Sequence, residues 1–238
     1  TRYIPLAALF DGQRYLVQDF TISTILTAGL TDLSDTLAPS VNNNPVLAMG
    51  LSEAVAGQAP LPNVPAELAG IVGDSNRRGV FPGSSFLNRR FSLDTLEDNL
   101  INHRILHLAT HGIFTSRRPG ESYILLGTGE KLTIPEIKTL EDLAGVHLVT
   151  LSACETGLGG PDEDGLEVSG MSYFFLTSGA KSVLASLWQV SDASTSELMQ
   201  GFYAVLAQGG VTKAEALRQA QLQVLATPGF EHPFFWAP

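Results

Sequence analysis

The chain has a single cysteine among its 238 residues. An internal disulfide is therefore excluded, and a reducing compartment is the simplest setting. Positive charge is also scarce: 14 Lys and Arg stand against 24 Asp and Glu, a formal net charge of −10. Nucleic acid and anionic membrane surfaces both call for a basic face, so neither is expected as the main partner. No apolar run approaches the roughly 20 residues that span a bilayer. The first ten residues, TRYIPLAALF, lack the charged, apolar and small-residue order of a secretory signal. The expectation from these absences is a soluble, cytoplasmic domain. With 44% hydrophobic and 16% charged residues, the chain is apolar enough to bury a sizeable core.

Short apolar runs alternate with helical patterns. Residues 45–51, 104–110, 147–153 and 182–188 have the length and near-continuous apolar character of strands buried on both faces. Helices are expected over 65–74, over 92–101 behind Ser92, and over 167–179, stopping at Gly179. Ser194 with Glu197, and Thr212 with Glu215, have the spacing of capping boxes. Alternation of strand and helix predicts an α/β fold with a mostly parallel central sheet. The first 40 residues read as an N-terminal hairpin and helix subregion, with two strands turning at Asp11-Gly12, ahead of a core over 45–238. Residues 38–45, APSVNNNP, are the most linker-like stretch.

The lone thiol, Cys154, lies where the apolar run 147–153 spills into a turn holding Gly157, Gly159 and Gly160. His111-Gly112 ends another apolar run, 154 − 111 = 43 residues earlier. In open α/β sheets ligands gather outside the carboxyl ends of the strands. If the two runs are neighbouring strands, the imidazole and the thiol meet on one rim. A free thiol is only a few per cent thiolate at neutral pH, and a nearby imidazole supplies the activation it lacks. Backbone N–H groups of Gly112 and Cys154 are candidate oxyanion donors. A lone cysteine is also commonly a small buried hydrophobe, and that reading stays open at this stage.

Other clusters carry less. His103, His107 and His111 fall four apart, but Leu108 stands where the H-E-x-x-H zinc motif needs glutamate, and the neighbours favour a strand. No metal site is expected; His107 reads as a core histidine with a hydrogen-bond partner. Asp162, Glu163 and Asp164 lack the full spacing of a calcium loop and read as a solvated turn. Residues 152–170 hold five acidic and no basic side chains, which favours a cationic substrate near the thiol. Arg77-Arg78, Arg89-Arg90 and Arg117-Arg118 are dibasic pairs in expected loops.

The motifs HLATHG, LSACETGLG, EVSGMSYFFLTSGAKSV, ASLWQVSD, KAEALRQAQL and HPFFWAP resemble, in order, the CHAT family of caspase-like cysteine peptidases. The N-terminal YIPLAAL and RYLVQDFTIS fit the same family, so the resemblance covers nearly all of 1–238 as one domain. It implies a caspase-hemoglobinase-like three-layer α/β/α sandwich, a His111–Cys154 dyad, an oxyanion hole at Gly112 and Cys154, and no cofactor. SLWQVSD is also similar to a stretch of separases, relatives that cut after arginine. That similarity assigns Asp192 to the pocket for the residue before the cut, with Trp188 and Ser191 as substrate contacts beside it. The expected function is a cysteine endopeptidase acting on a protein substrate after a basic residue. Control by an upstream tetratricopeptide-type repeat domain or a partner is expected with it. A catalytically silent interaction module and a small-molecule thiol hydrolase are the alternatives.

Overall fold

The computed structural model describes residues 4–25, 35–113, 119–152, 166–188 and 190–238. Five parallel strands form the central sheet: β1 (Val46–Gly50), β2 (Gly83–Leu87), β3 (Ile105–Ala109), β7 (Leu148–Ser152) and β8 (Val183–Ala185), in the order β2-β1-β3-β7-β8. Three short strands, β4 (Gly112–Ile113), β5 (Tyr123–Leu125) and β6 (Lys131–Thr133), make a small antiparallel sheet. The apolar runs become central strands because both of their faces are covered. On one face Val46, Ala48, Ile105 and Leu148 meet α2 (Val64–Ile71), α6 (Asp192–Gln208) and α7 (Lys213–Ala226). On the other, Leu47, Met49, Leu106, Leu108, Val149 and Leu151 meet α3 (Leu93–Leu100), α4 (Ile134–Thr139) and α5 (Leu166–Thr177). The result is an α/β/α sandwich around a parallel sheet, as a caspase-like fold requires.

Local chemistry sets the helix ends. Ser92 Oγ accepts from Thr95 N at 3.2 Å and opens α3; Thr212 Oγ1 accepts from Glu215 N at 3.1 Å and opens α7. Each satisfies an N–H that has no partner inside the helix. The expected box at Ser194 and Glu197 is not the start of α6. Ser191 is the N-cap and Asp192 the first helical residue, while Ser194 Oγ turns back to the Ser191 carbonyl at 3.2 Å. The Asp192 carboxylate, anchored outside the helix, moves the start three residues upstream.

Three further expectations need correction. The N-terminal stretch turns at Asp11-Gly12, where Asp11 Oδ1 accepts from Gln13 N and Arg14 N at 2.7 and 2.8 Å. Its flanks are not strands. A 3-10 turn at Leu6–Ala8 and α1 (Leu16–Asp19) stand there, joined by a single bridge from Phe10 to Tyr15. The Arg218 side chain of α7 takes up the Val17 and Gln18 carbonyls at 2.8 and 2.6 Å, so these residues dock on a helix rather than a sheet edge. The run 182–188 is strand only to Ala185. The stretch 38–45 is stitched down: Asn44, 3% exposed, exchanges hydrogen bonds with Ala38 and donates to the Ser40 carbonyl. Among the described residues no helix is long and apolar enough to cross a membrane.

Candidate active site

The strand order places a topological switch between β1 and β3. The chain leaves β1 toward β2 on one side, and β3 continues to β7 and β8 on the other. In open α/β sheets such a switch point, at the carboxyl rim, is where ligands bind. His111 stands at that rim, two residues past the end of β3. It is 3% exposed, and its Nε2 lies 2.8 Å from the carbonyl oxygen of Ala59, in the segment after β1. A carbonyl can only accept. In the neutral ring the proton therefore sits on Nε2 and Nδ1 carries the lone pair.

The backbone around His111 is clamped. Leu125 N donates to the His111 carbonyl at 2.8 Å, and Thr110 Oγ1 donates to the Leu125 carbonyl at 2.6 Å. The first bond makes 111 and 125 a hydrogen-bonded pair of the antiparallel ladder. The next pair, Gly112 with Ile124, is then of the non-bonded kind. The Gly112 N–H consequently points away from β5, as a donor to a ligand would have to.

β7 runs parallel to β3 with Ala109 opposite Ser152, and Thr110 N donates to the Ser152 carbonyl at 3.1 Å. The two apolar runs are thus neighbours, as a His–Cys pairing requires. Cys154, the expected nucleophile and oxyanion donor, lies outside the described residues, as do the acidic turn 161–165 and Arg117-Arg118. By count, Cys154 follows Ser152 by the same two residues by which His111 follows Ala109.

Asp192 is half-buried in the first turn of α6. Its Oδ2 accepts from both Asn63 N, at 2.9 Å, and Asn63 Nδ2, at 2.8 Å. Ser191 caps the same helix by position, and its carbonyl accepts from Thr195 N at 2.9 Å. Trp188 donates its indole N–H to the Phe234 carbonyl at 3.1 Å and packs on the core beside α8 (Pro233–Trp236). Sequence reasoning missed Ala59, Asn63 and Glu67, all in or just after the segment that follows β1. Ala59 acts through a backbone carbonyl and has no side-chain signature; Asn63 and Glu67 look like ordinary polar residues around a short helix.

His107 has the partner expected of a core histidine. Its Nε2 lies 2.9 Å from Glu67 Oε1, and both residues are essentially inaccessible, at 0% and 1% exposed. His103 Nδ1 lies 2.6 Å from the Asn99 carbonyl, so the three histidines serve three separate partners. Among the described residues no group of His, Cys, Asp and Glu could hold a metal ion.

The whole of this chain, residues 1–238, matches the CHAT domain family. The chain belongs to the CHAT domain family. CHAT domains are related to caspase-like cysteine peptidases, in keeping with the sandwich and its rim. The chain is also similar to tetratricopeptide repeat protein 28 of Mus musculus, 34% identical over 92 residues. That match covers 39% of this chain and 4% of the mouse protein, so the chain spans a small part of its relative's length.

Proposed function

We propose that this CHAT domain is a cysteine endopeptidase that uses a His111–Cys154 dyad and prefers a basic residue before the scissile bond. The observation that carries the reading is His111. It is held at the carboxyl rim by the Ala59 carbonyl with Nδ1 as the basic nitrogen, one strand over from the strand that leads to the sole thiol. In the proposed reaction His111 takes the Cys154 proton and the thiolate attacks the scissile carbonyl carbon. The oxyanion is met by the N–H groups of Gly112 and Cys154. The C–N bond breaks as His111 returns the proton to the leaving amine. Water, deprotonated by His111, then hydrolyses the thioester and frees the acid.

Asp192 would pair with the basic side chain, and arginine suits a planar carboxylate partner best. Asn63 occupies Oδ2, which fixes the carboxylate and would direct Oδ1 to the substrate. Trp188 and Ser191 border it. β8 is the edge of the described sheet, a place where an extended peptide could add as a strand. Likeness to a part of a tetratricopeptide repeat protein supports an upstream repeat domain as the regulating partner.

The test is labelling with an arginine acyloxymethyl-ketone peptide on the chain and on Cys154→Ala. Labelling of the first and not the second supports the reading. No Cys154-dependent labelling, with the repeat domain either absent or restored, would refute it in favour of a silent interaction module.

A further inference from the structure

A second set of polar groups lies directly beneath the rim, wholly buried, and the dyad chemistry does not use it. His107 on β3 and Thr150 and Ser152 on β7 face the same side of the sheet, and His107 is paired with Thr150 in register. That side is otherwise lined by Val46, Ala48, Ile105 and Leu148. Burying three polar side chains in such a layer is costly unless each is bonded.

Each is. Glu67 of α2 reaches down, and its Oε1 accepts from Ser152 Oγ at 2.6 Å and contacts His107 Nε2 at 2.9 Å. On the far side of the ring, His107 Nδ1 lies 3.2 Å from Tyr203 Oη, which lies 3.0 Å from Thr150 Oγ1. One set of proton positions satisfies all five. Thr150 donates to Tyr203, Tyr203 donates to His107 Nδ1, and His107 Nε2–H and Ser152 O–H both donate to Glu67. Burial raises the Tyr203 pKa, so the hydroxyl keeps its proton and remains a donor.

Glu67 thus joins three elements through one oxygen: its own helix, β3 four residues before His111, and β7 two residues before Cys154. The helix that carries Glu67 also follows the segment that supplies the Ala59 carbonyl and Asn63. From this we infer that Glu67, acting through His107 and Ser152, is a positioning residue that holds the two strand ends in the offset the dyad needs. The inference rests on the dyad reading above. Its physical content is that the Glu67–Ser152 bond fixes where the chain leaves β7, whereas the Thr150–Tyr203 bond, on the same strand and equally buried, only stabilises the fold.

The experiment exploits the single cysteine, because alkylation by iodoacetamide reports Cys154 alone. Rates are measured against pH on the full chain and on Ser152→Ala, Thr150→Val, Glu67→Gln and His111→Ala, with a thermal melt of each. The expected result is slowing of neutral-pH alkylation by about tenfold in Ser152→Ala, the scale of a sub-ångström misplacement. The pH midpoint should rise in the same variant. Thr150→Val should melt at least as early yet alkylate within about twofold of the parent. Glu67→Ala, measured alongside, removes the shared acceptor and should slow alkylation at least as much as Ser152→Ala, whereas Glu67→Gln keeps an acceptor oxygen for both donors and should return to within about threefold of the parent. Equal slowing in Ser152→Ala and Thr150→Val, or none in Ser152→Ala while His111→Ala is slow, overturns the positioning role and spares the dyad. Identical alkylation of His111→Ala and the parent overturns both, and marks the dyad reading as the one that failed.

Discussion

His111 and Ala59 are 52 residues apart in sequence and joined at 2.8 Å, imidazole nitrogen to backbone carbonyl. The bond joins the segments that follow β1 and β3. It orients the ring, since the accepting carbonyl fixes where one ring nitrogen points. His111→Ala should lower Arg-peptide hydrolysis by about 10²- to 10⁴-fold, the usual worth of a positioned acid–base group. His111→Gln keeps a donor for Ala59 and should fold like the parent, but remain as inactive as the alanine variant. Steady-state kinetics alongside thermal melts check both. Wild-type turnover in either variant would remove His111 from the chemistry.

Asp192 offers a sharper separation of charge from structure. Asp192→Asn retains a side-chain oxygen to accept from Asn63 N and Nδ2, so the junction between α2 and α6 should survive. Loss of a negative charge from the first turn of α6 should cost no more than about 1 kcal/mol. Charge-assisted pairing with arginine would be gone. kcat/KM for an Arg substrate should fall by about tenfold or more, while a substrate with a neutral residue at that position stays unchanged. An equal fall on both would show that Asp192 supports the fold rather than the pocket.

The main strands were readable because burial on both faces leaves a short, continuous apolar signal. Residues 45–51, 104–110 and 147–153 contain β1, β3 and β7 within a residue or so of each end. The adjacency of β3 and β7, on which the proposed pairing of His111 with Cys154 depends, was only a condition in the sequence, because strand neighbours are set by how the chain crosses over and not by the apolar runs themselves. The N-terminal residues misled because Asp11-Gly12 is a genuine turn, yet a hairpin needs a sheet to join. Here the flanks find α7 instead. Ser194 misled because Ser191, Ser194 and Ser196 all suit a cap, and only the Asp192–Asn63 contact chooses among them. Glu67 was invisible for a different reason. A glutamate in a short helix reads as a surface acid, and nothing local reports that its helix lies over two strands bearing His107 and Ser152.

The helix caps give a prediction that tests the fold alone. Ser92→Ala should destabilise the chain by about 1 kcal/mol, because Thr95 N loses its acceptor at the start of α3. Chemical denaturation should show the change in midpoint with no change in the alkylation rate of Cys154, since α3 packs on the sheet face opposite Glu67. A change in alkylation would mean that the two faces are coupled.

Tyr203 ties stability to alkaline pH. Burial is the larger cause of its raised pKa, the nearby Glu67 charge adds to it, and the bond from Thr150 opposes it. The folded chain therefore keeps the Tyr203 proton at a pH where the unfolded chain has released it. That contribution to stability is complete below the ordinary tyrosine value of 10.0 and is lost as pH rises through it toward the folded value. Tyr203→Phe removes the titration but strands His107 Nδ1 and Thr150 Oγ1 in an apolar layer. At neutral pH the variant should be less stable by about 1–3 kcal/mol. Above the ordinary tyrosine value its stability should fall less steeply with pH than the parent's, so the two curves converge. Denaturant melts from neutral to strongly alkaline pH measure the two slopes. Parallel curves would mean that Tyr203 ionises as readily in the folded chain as in the unfolded one, and that the buried network does not hold its proton.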